Sequence, residues 1–444
     1  MSATQEVARY IADLSYGNIP EKNLKDMKIL LLDYLAVAIR GARMSSGEIV
    51  ARFTRDLAER EESTIIVHGY SVSAHGAAFC NAIASHSIEL DDTDSEAFFH
   101  FSPTIFSGAL AMAERERVSG KSFLTAVVAA CDIVARLSRT LNPMLRDRGF
   151  HTTATCGIFG VATAAGKILG LDEGKQTSAL GLAGAQSSGL MEMYGTSMQK
   201  RFNPGPAARD GVIAALLAQR GFTGAETILE GQRGFCRAFA DVTDLTRLTQ
   251  GLGKEFPIFV EYKPYACARP IHNAIDCALE IRKKHDINIA DINGISVRRH
   301  PAWAHYHAIS EPQNYHEAQV SLPYSVAIGL IEGKAFIDQY SDDRLKDKRV
   351  LQLARKVNIS ADPSLPRGVS CAMEIKMKDG TLYNAQVDYA KGSMENPMTA
   401  EERIDKFQSL ASAELPAEKR ATIISMVDKL EELKDMSELC ALLY

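Results

Sequence analysis

The sequence predicts a mainly α protein, with a large all-helical domain and a smaller α+β domain, and three observations support this fold class. The chain has 444 residues, more than one compact core of ordinary size accommodates. Helical periodicity with many small residues fills the chain up to about residue 260. Alternating segments typical of strands then appear between residues 262 and 393, after which helical periodicity returns.

The predicted helices of the first part follow one another closely. The first has apolar side chains at the i, i+3, i+4 and i+7 positions of one helical face, namely Val7, Tyr10, Ile11 and Leu14. The segment 21–42 continues this pattern, and Gly41 near its end is a candidate helix cap. Further helices are predicted where small side chains are dense, at residues 74–88, 104–115, 122–137, 156–169, 176–190 and 207–219.

The α+β domain is predicted from segments in which apolar and polar residues alternate. These segments are residues 295–299, 371–377 and 381–389. Asp379-Gly380 separates the last two, and this dipeptide is a strong hairpin signal. Helical patterns are found between the strands, at residues 272–284, 324–331 and 343–357.

Two more helical segments, 399–410 and 418–433, follow Pro397. We expect them to pack back on the first domain. The all-helical domain is then discontinuous and consists of residues 1–261 and 394–444, whereas residues 262–393 form the α+β domain.

Composition argues against several classes of function. The net charge is −5 with acids and bases interspersed, so no basic stripe for a nucleic-acid partner is expected. No uncharged apolar run approaches the roughly 18 residues of a membrane span, and the start lacks the pattern of a signal peptide. The eight cysteines form no CxxC pairs, which disfavours a zinc ribbon and suits a reducing compartment. We therefore expect a cytoplasmic protein that has no membrane partner.

One segment is unusually acidic. HSIELDDTDSE, from His86 to Glu96, carries five carboxylates in eight positions. Its second half resembles the box with which all-α isoprenoid synthases hold magnesium. Such an enzyme needs a second box on a facing helix, and the nearest candidate, residues 273–280, has the wrong spacing. We therefore predict no metal site; a solvated loop is the structural alternative, and Asp94 and Glu96 are expected to be solvated.

Three motifs carry histidine or basic residues suited to acid–base chemistry or anion binding. His100 closes the aromatic run 98–101, where apolar neighbours favour a neutral imidazole. His151 precedes three hydroxyl residues at a predicted helix start, which offers free N–H groups to a carboxylate or is an ordinary helix start. Lys200 and Arg201 lie between two apolar helices, which favours a cleft that binds anions over a solvated pair.

Two motifs lie at the domain junction or beyond it. The segment 262–272 contains Cys267 and His272 at a junction of the kind where ligand sites form. A Cys five residues before a His does not specify a thiol nucleophile. Tyr324 stands at a predicted helix start, where its hydroxyl suits a weak acid or hydrogen-bond donor, or where the ring is simply packed.

In this order, the motifs resemble the MmgE/PrpD family of 2-methylcitrate dehydratase-like proteins. The pieces that carry the resemblance are His86-x-x-Glu-x-Asp-Asp-Thr93, Gly149-Phe-His151 with Thr-Cys-Gly157, Lys200-Arg201 with Gly205, Cys267 to His272, and Ser321-Leu-Pro-Tyr324. Five ordered motifs are far more specific than any one of them alone.

The resemblance implies a homodimer in which the α+β domain is a lid and the active site lies between the domains, without a metal or an organic cofactor. The residues it implies as catalytic are His100, His151, Lys200, His272 and Tyr324. The residues it implies for substrate binding are Glu89, Asp91, Thr93, Lys200 and Arg201. Asn203 stands where many relatives have a histidine, and Glu89 where many have an aspartate, which bears on the substrate and not on the fold.

Family members act on a carbon next to a carboxylate, so a lyase or isomerase of a small di- or tricarboxylate is expected. Removing a proton from such a carbon creates negative charge, which Lys200 would stabilise while a histidine acts as base. Dehydration of 2-methylcitrate type is the first expectation; epimerisation of iminodisuccinate type and decarboxylation of cis-aconitate type are the alternatives. Two other classes stay open: a non-catalytic carboxylate-binding protein and a magnesium-dependent isoprenoid synthase.

Overall fold

The computed structural model describes residues 1–57, 60–193 and 197–444, and it confirms the mainly α prediction. The α-helices of the first part are α1 (Ala3–Asp13), α2 (Glu21–Ala42), α3 (Ser45–Asp56), α4 (Ala74–Ser85), α5 (Ser107–Glu116), α6 (Gly120–Leu141), α7 (Met144–Asp147), α8 (Thr152–Ile168), α9 (Glu173–Gly184), α10 (Gln199–Phe202), α11 (Pro204–Gln219), α12 (Phe235–Ala240) and α13 (Thr246–Thr249). A π-helical turn, Ser102–Phe106, leads directly into α5.

A short antiparallel hairpin, β1 (Ser63–Ile65) and β2 (Tyr70–Val72), interrupts the helices of the first part. No pattern in the sequence predicts this hairpin, because strands of three residues are too short for alternation to stand out.

The second part contains a mixed sheet covered by helices. Its strands are β3 (Ile292–Arg299), β4 (Val357–Ala361), β5 (Cys371–Met377) and β6 (Leu382–Val387), in the order β4-β3-β5-β6. Its helices are α14 (His272–Lys284), α15 (Pro301–Ala304), α16 (Tyr315–Gln319), α17 (Leu322–Glu332), α18 (Asp342–Leu345) and α19 (Lys348–Ala354). The tail adds α20 (Ala400–Ala411), α21 (Ala417–Asp428) and α22 (Ser437–Cys440). Short 3-10 turns lie at Tyr16–Asn18, Arg269–Ile271, Ile289–Asp291, Ile337–Tyr340 and Leu430–Glu432.

The three predicted strands and their hairpin are confirmed as β3, β5 and β6, and β5 pairs antiparallel with both β3 and β6. The helix predicted over 343–357 is wrong at its end. Helix α19 stops at Ala354 and β4 begins at Val357, pairing parallel to β3. Strand β4 is a partly exposed edge strand, so no continuous apolar face marks it in the sequence.

The first core is built from helices that approach very closely. A Cβ added to Gly41 of α2 would lie 1.9 Å from the carbonyl oxygen of Ala84 in α4, so only glycine fits there. Gly41 is therefore a packing residue inside α2 and not the cap that its position in the sequence suggested. Ser73 caps α4 by accepting a hydrogen bond from the N–H of Gly76. This cap stabilises the N-terminus of helix α4, and the acidic segment follows the C-terminus of the same helix.

The tail contacts the first part of the chain. The Lys406 ammonium of α20 donates to Asp33 of α2 at 2.6 Å and to the Leu90 carbonyl at 2.7 Å, and all of these groups are buried. The tail therefore supports the acidic segment through the hydrogen bond from Lys406 to the Leu90 carbonyl. The division at residues 261/262 and 393/394 stays a prediction. Among the described helices, none has both the length and the apolar character that a bilayer span requires.

Candidate active site

The acidic segment is buried, contrary to the solvated-loop alternative. Glu89, Asp91, Asp92 and Asp94 are each exposed by 1% or less, and only the side chain of Glu96 is solvated. The segment is anchored by two backbone hydrogen bonds between Thr93 and Glu261, of 2.9 and 2.8 Å. This pairing brings the domain-junction segment, and Lys263 with it, against the carboxylates.

Glu89 gathers three cations around one carboxylate. Oε1 accepts from Lys200 and from Arg201, and Oε2 lies 3.3 Å from the Lys263 ammonium. Burial alone would raise the pKa of Glu89, but the three cations hold it well below its usual range. Its backbone is left-handed, with φ at +55°, a strained conformation that a non-glycine residue keeps where the surroundings impose it.

Asp91 lies between two imidazoles. Its Oδ2 is 2.9 Å from Nδ1 of His86 and 3.0 Å from Nδ1 of His100. His100 Nδ1 also contacts the Asp92 carbonyl, and both of its partners are acceptors, so Nδ1 carries the proton. Nε2 is therefore the nitrogen of His100 that is left for a substrate. Burial would raise the pKa of Asp91, but His86, Lys263 and His100 hold it well below its usual range.

The remaining carboxylates of the segment have structural partners. Asp92 accepts hydrogen bonds from the N–H groups of Phe101 and Ser102, at 2.8 and 3.0 Å, where the π-helical turn begins. Asp94 pairs with Arg139, so the expectation that Asp94 is solvated is wrong. Burial raises the pKa of each of these two carboxyls to about 6. Both carboxylates are thus already bound to protein donors.

His151 stands at the start of α8 with its ring directed by an amide. Its Nδ1 is 3.2 Å from the Asn203 side-chain nitrogen, which also faces the Leu190 carbonyl and the Met193 sulfur. Because the neighbours of the Asn203 nitrogen are acceptors, this nitrogen is the donor, and Nδ1 of His151 accepts the hydrogen bond. Burial and the neighbouring His86 and His100 lower the pKa of His151 well below its usual value. The imidazole is therefore neutral, with its proton on Nε2.

These side chains meet at a cavity of about 310 Å³. Glu89, Thr93, His100, His151 and Lys200 line it. Among the described residues, its charged lining consists of five basic side chains and two carboxylates: Arg146, Lys200, Lys263, Arg269 and Arg367, with Glu89 and Glu96. This excess of positive charge suits a ligand with several carboxylates.

Lys200 is the lysine of the cavity whose ammonium loses its proton more readily. Burial lowers the pKa of its ammonium to about 8, although Glu89 opposes the change. Lys263 behaves in the opposite way, because Asp91 and Glu89 outweigh its burial and raise its pKa. Lys200 is therefore charged at neutral pH, but it is close enough to titration to exchange a proton.

The described lining of the cavity lacks four of the predicted site residues, Asp91, Arg201, His272 and Tyr324. Asp91 instead contacts His86 and His100. Arg201 donates to Glu89 and, at 2.8 Å, to Gln319. Arg201 therefore supports Glu89 in this structure, and its role in substrate binding stays a prediction.

His272 and Tyr324 are occupied by protein groups. His272 donates from Nε2 to the Cys267 carbonyl at 3.2 Å and accepts at Nδ1 from Arg269 at 3.1 Å, which leaves no ring nitrogen for a proton transfer. The Tyr324 hydroxyl donates to the Gln339 carbonyl at 2.7 Å. In this structure both residues make structural contacts, and His272 orients Arg269, which does line the cavity. Their predicted catalytic roles stay predictions.

Sequence reasoning missed four basic residues of the cavity lining, Arg146, Lys263, Arg269 and Arg367. Lys263 and Arg269 lie in the junction segment that the motifs single out, but the approach of Lys263 to Glu89 depends on the Thr93–Glu261 pairing. Arg146 belongs to no motif, and nothing local in the sequence marks it as part of a cavity. The signal for Lys263 was its place beside a proline at the domain junction.

Comparison with known proteins confirms the resemblance. The chain matches the models of the MmgE/PrpD N-terminal domain over residues 5–248 and of the MmgE/PrpD C-terminal domain over residues 265–432. It therefore belongs to the MmgE/PrpD family, and the helical fold with a polar, cation-lined cavity is that of an enzyme of this family.

Curated relatives match along their whole length. A cis-aconitate decarboxylase of Aspergillus terreus is 28% identical, over 99% of this chain and 95% of the relative. A cis-aconitate decarboxylase-like protein of Aspergillus oryzae is 28% identical, over 100% of this chain and 97% of the relative. The cis-aconitate decarboxylase of Mus musculus is 27% identical, over 100% of this chain and 93% of the relative.

Proposed function

We propose that this chain is a lyase that decarboxylates cis-aconitate or a closely similar tricarboxylate in the cavity between His100, His151 and Lys200. The observation that carries the proposal is the cavity's excess of three basic side chains over carboxylates among its described lining. The full-length relatives named as cis-aconitate decarboxylases support the choice of reaction. They favour it over the 2-methylcitrate dehydration that the sequence motifs suggested first.

The reaction needs a proton donor and a place for negative charge. The bond from a CH2 carbon to its carboxylate breaks and releases CO2. The electron pair forms a double bond to the central carbon, and the pair of the original double bond takes up a proton at the far carbon. The product is a five-carbon dicarboxylate with a terminal methylene group.

His100 suits the role of proton donor. Asp91 accepts from its Nδ1 at 3.0 Å and orients the ring, so Nε2 is the nitrogen that delivers the proton to the substrate carbon. Lys200, with its pKa of about 8, binds a substrate carboxylate and stabilises charge that develops on it. His151 is neutral and donates a hydrogen bond from Nε2 to a substrate oxygen. The protein's own donors thus supply the needed stabilisation, and we propose that no metal or organic cofactor takes part.

The test supplies the purified chain with cis-aconitate and with 2-methylcitrate in parallel. Release of CO2 from cis-aconitate, with no dehydration of 2-methylcitrate, is the expected result. Dehydration of 2-methylcitrate without CO2 release from cis-aconitate would replace the proposal by the alternative reaction. The homodimer and the cytoplasmic location remain predictions, and light scattering of the purified chain tests the first.

A further inference from the structure

Arg146 differs from the other arginines that line the cavity. Arg269 pairs with Glu261 at 2.8 Å, and Arg367 pairs with Glu395 at 3.5 Å. The side chain of Arg146 forms no hydrogen bond or ion pair with any residue that the structure describes. Its five N–H donors are therefore available to a ligand.

Two aromatic rings hold the Arg146 guanidinium. Its central carbon lies 5.0 Å from the ring centre of Phe98 and 5.0 Å from that of Trp303. Phe98 begins the aromatic run 98–101 and has a left-handed backbone, with φ at +53°, and Trp303 belongs to α15. A guanidinium covered by rings loses water from its faces while its N–H edge remains free, which suits bidentate binding of a carboxylate.

A second cavity, of about 830 Å³, adjoins the first at this point. The two cavities share five lining residues, Phe98, Arg146, Met191, Trp303 and His307. Beyond them the second cavity is mostly apolar, with Ala302, Tyr306, Ile309 and Val320 in its wall and Asp147 as its carboxylate. Tyr306 and Ile309 are 59% and 37% exposed, so this wall is an apolar surface that faces open space.

His307 adds an unsatisfied polar group at the border between the cavities. Its backbone is left-handed, with φ at +65°, and its ring stacks on Trp303 at 5.8 Å between centres. Its Nδ1 is buried and has no hydrogen-bond partner among the described residues. A buried nitrogen without a partner is costly unless a ligand satisfies it.

We propose that the second cavity is a substrate subsite for an apolar substituent, and that Arg146 binds the substrate carboxylate next to that substituent. The natural substrate is then an alkyl-substituted relative of the tricarboxylate and not only the unsubstituted acid. This inference rests on the proposed function, because it names the substrates that the same cavity takes. Its test uses ligands that do not react, so that binding is measured whether or not decarboxylation occurs.

Calorimetry on the full chain compares succinate with 2-butylsuccinate. We expect the butyl chain to tighten binding by about tenfold or more, because it enters the apolar cavity. Equal binding of the two ligands, or no binding of either, would overturn the inference. Failure of the proposed function would show separately, as absence of CO2 release from cis-aconitate while 2-butylsuccinate still binds more tightly.

Substitutions locate the two parts of the subsite. Arg146→Gln should weaken both ligands about tenfold or more, whereas Arg148→Gln, an exposed arginine two positions on, should change neither. Ile309→Glu should abolish the advantage of the butyl chain and leave succinate binding intact. Ile404→Glu is the matched control, since Ile404 is 38% exposed on α20.

The same variants also test whether a second copy of the chain, and not a substrate, covers the apolar surface. If Ile309→Glu dissociates an oligomer and leaves the preference for the butyl chain unchanged, a second copy of the chain covers this surface and the inference is wrong. Light scattering on the wild type, Ile309→Glu and Ile404→Glu decides the point.

Discussion

Replacing Glu89 by glutamine removes one charge and leaves three cations facing one another in a buried site. Lys263 lies 3.3 Å from the carboxylate. Two unit charges at that separation attract by about 5 kcal/mol at an effective dielectric constant of about 20. Removing one partner of a buried ion pair costs about 3–5 kcal/mol in mutational studies. We therefore expect Glu89→Gln to lower the free energy of unfolding by about 3–5 kcal/mol.

The same substitution should change the protonation of Lys200. Its pKa is already lowered to about 8 by burial, and Glu89 is what opposes that burial. Without the carboxylate, Lys200 and the nearby Arg201 and Lys263 repel one another, and the pKa of Lys200 should fall below neutrality. The alkaline limit of substrate binding should therefore move to lower pH.

Two assays check this prediction, urea unfolding for the free energy and the pH dependence of KM for Lys200. Glu96→Gln is the matched control, because the Glu96 side chain is 74% exposed and its carboxylate lies 3.8 Å from Arg139. That control should change the free energy of unfolding by less than about 0.5 kcal/mol. If Glu89→Gln unfolds like the control and keeps the wild-type pH dependence, Glu89 does not hold the cations together and the site is described wrongly.

Three further predictions follow from the same geometry. His100→Ala and His151→Ala should each lower kcat by about 100-fold or more without changing the melting temperature by more than a few degrees; wild-type kcat in either variant contradicts its role. In the wild type, KM should rise as pH increases through about 8, because Lys200 then loses the proton that binds a carboxylate; a flat profile there removes Lys200 from substrate binding. Tyr324→Phe should cost about 1–2 kcal/mol of stability through the lost hydrogen bond to Gln339, with kcat kept within about twofold, measured by urea unfolding and steady-state kinetics.

The elements that are predictable from the sequence are those whose signal is local. Strands β5 and β6 and the turn at Asp379-Gly380 alternate visibly, and helices such as α8 are dense in small residues. Strand β4 is not predictable from the sequence, because a partly exposed edge strand has no continuous apolar face. Asp94 was expected to be solvated because the sequence does not show its partner. Asp94 meets Arg139, 45 positions away.

In the candidate site too, some residues are marked by local motifs and others depend on contacts between distant segments. The motifs include His100, His151, Lys200 and Glu89, which the structure brings to one cavity. His272 belongs to an equally good motif, but its two ring nitrogens are used by Cys267 and Arg269, which only coordinates reveal. Lys263 and Arg146 depend on contacts between segments far apart in the chain. A motif indicates which residues are concentrated near a site, whereas hydrogen bonds decide which of them face a substrate.

If the cavity decarboxylates a tricarboxylate by delivering a proton to carbon, NMR of cis-aconitate incubated with the chain in D2O shows this directly. We expect CO2 and a five-carbon dicarboxylate with a terminal methylene group and a single deuterium at the carbon that was protonated. Recovery of cis-aconitate unchanged, or hydration without loss of carbon, would refute this reaction.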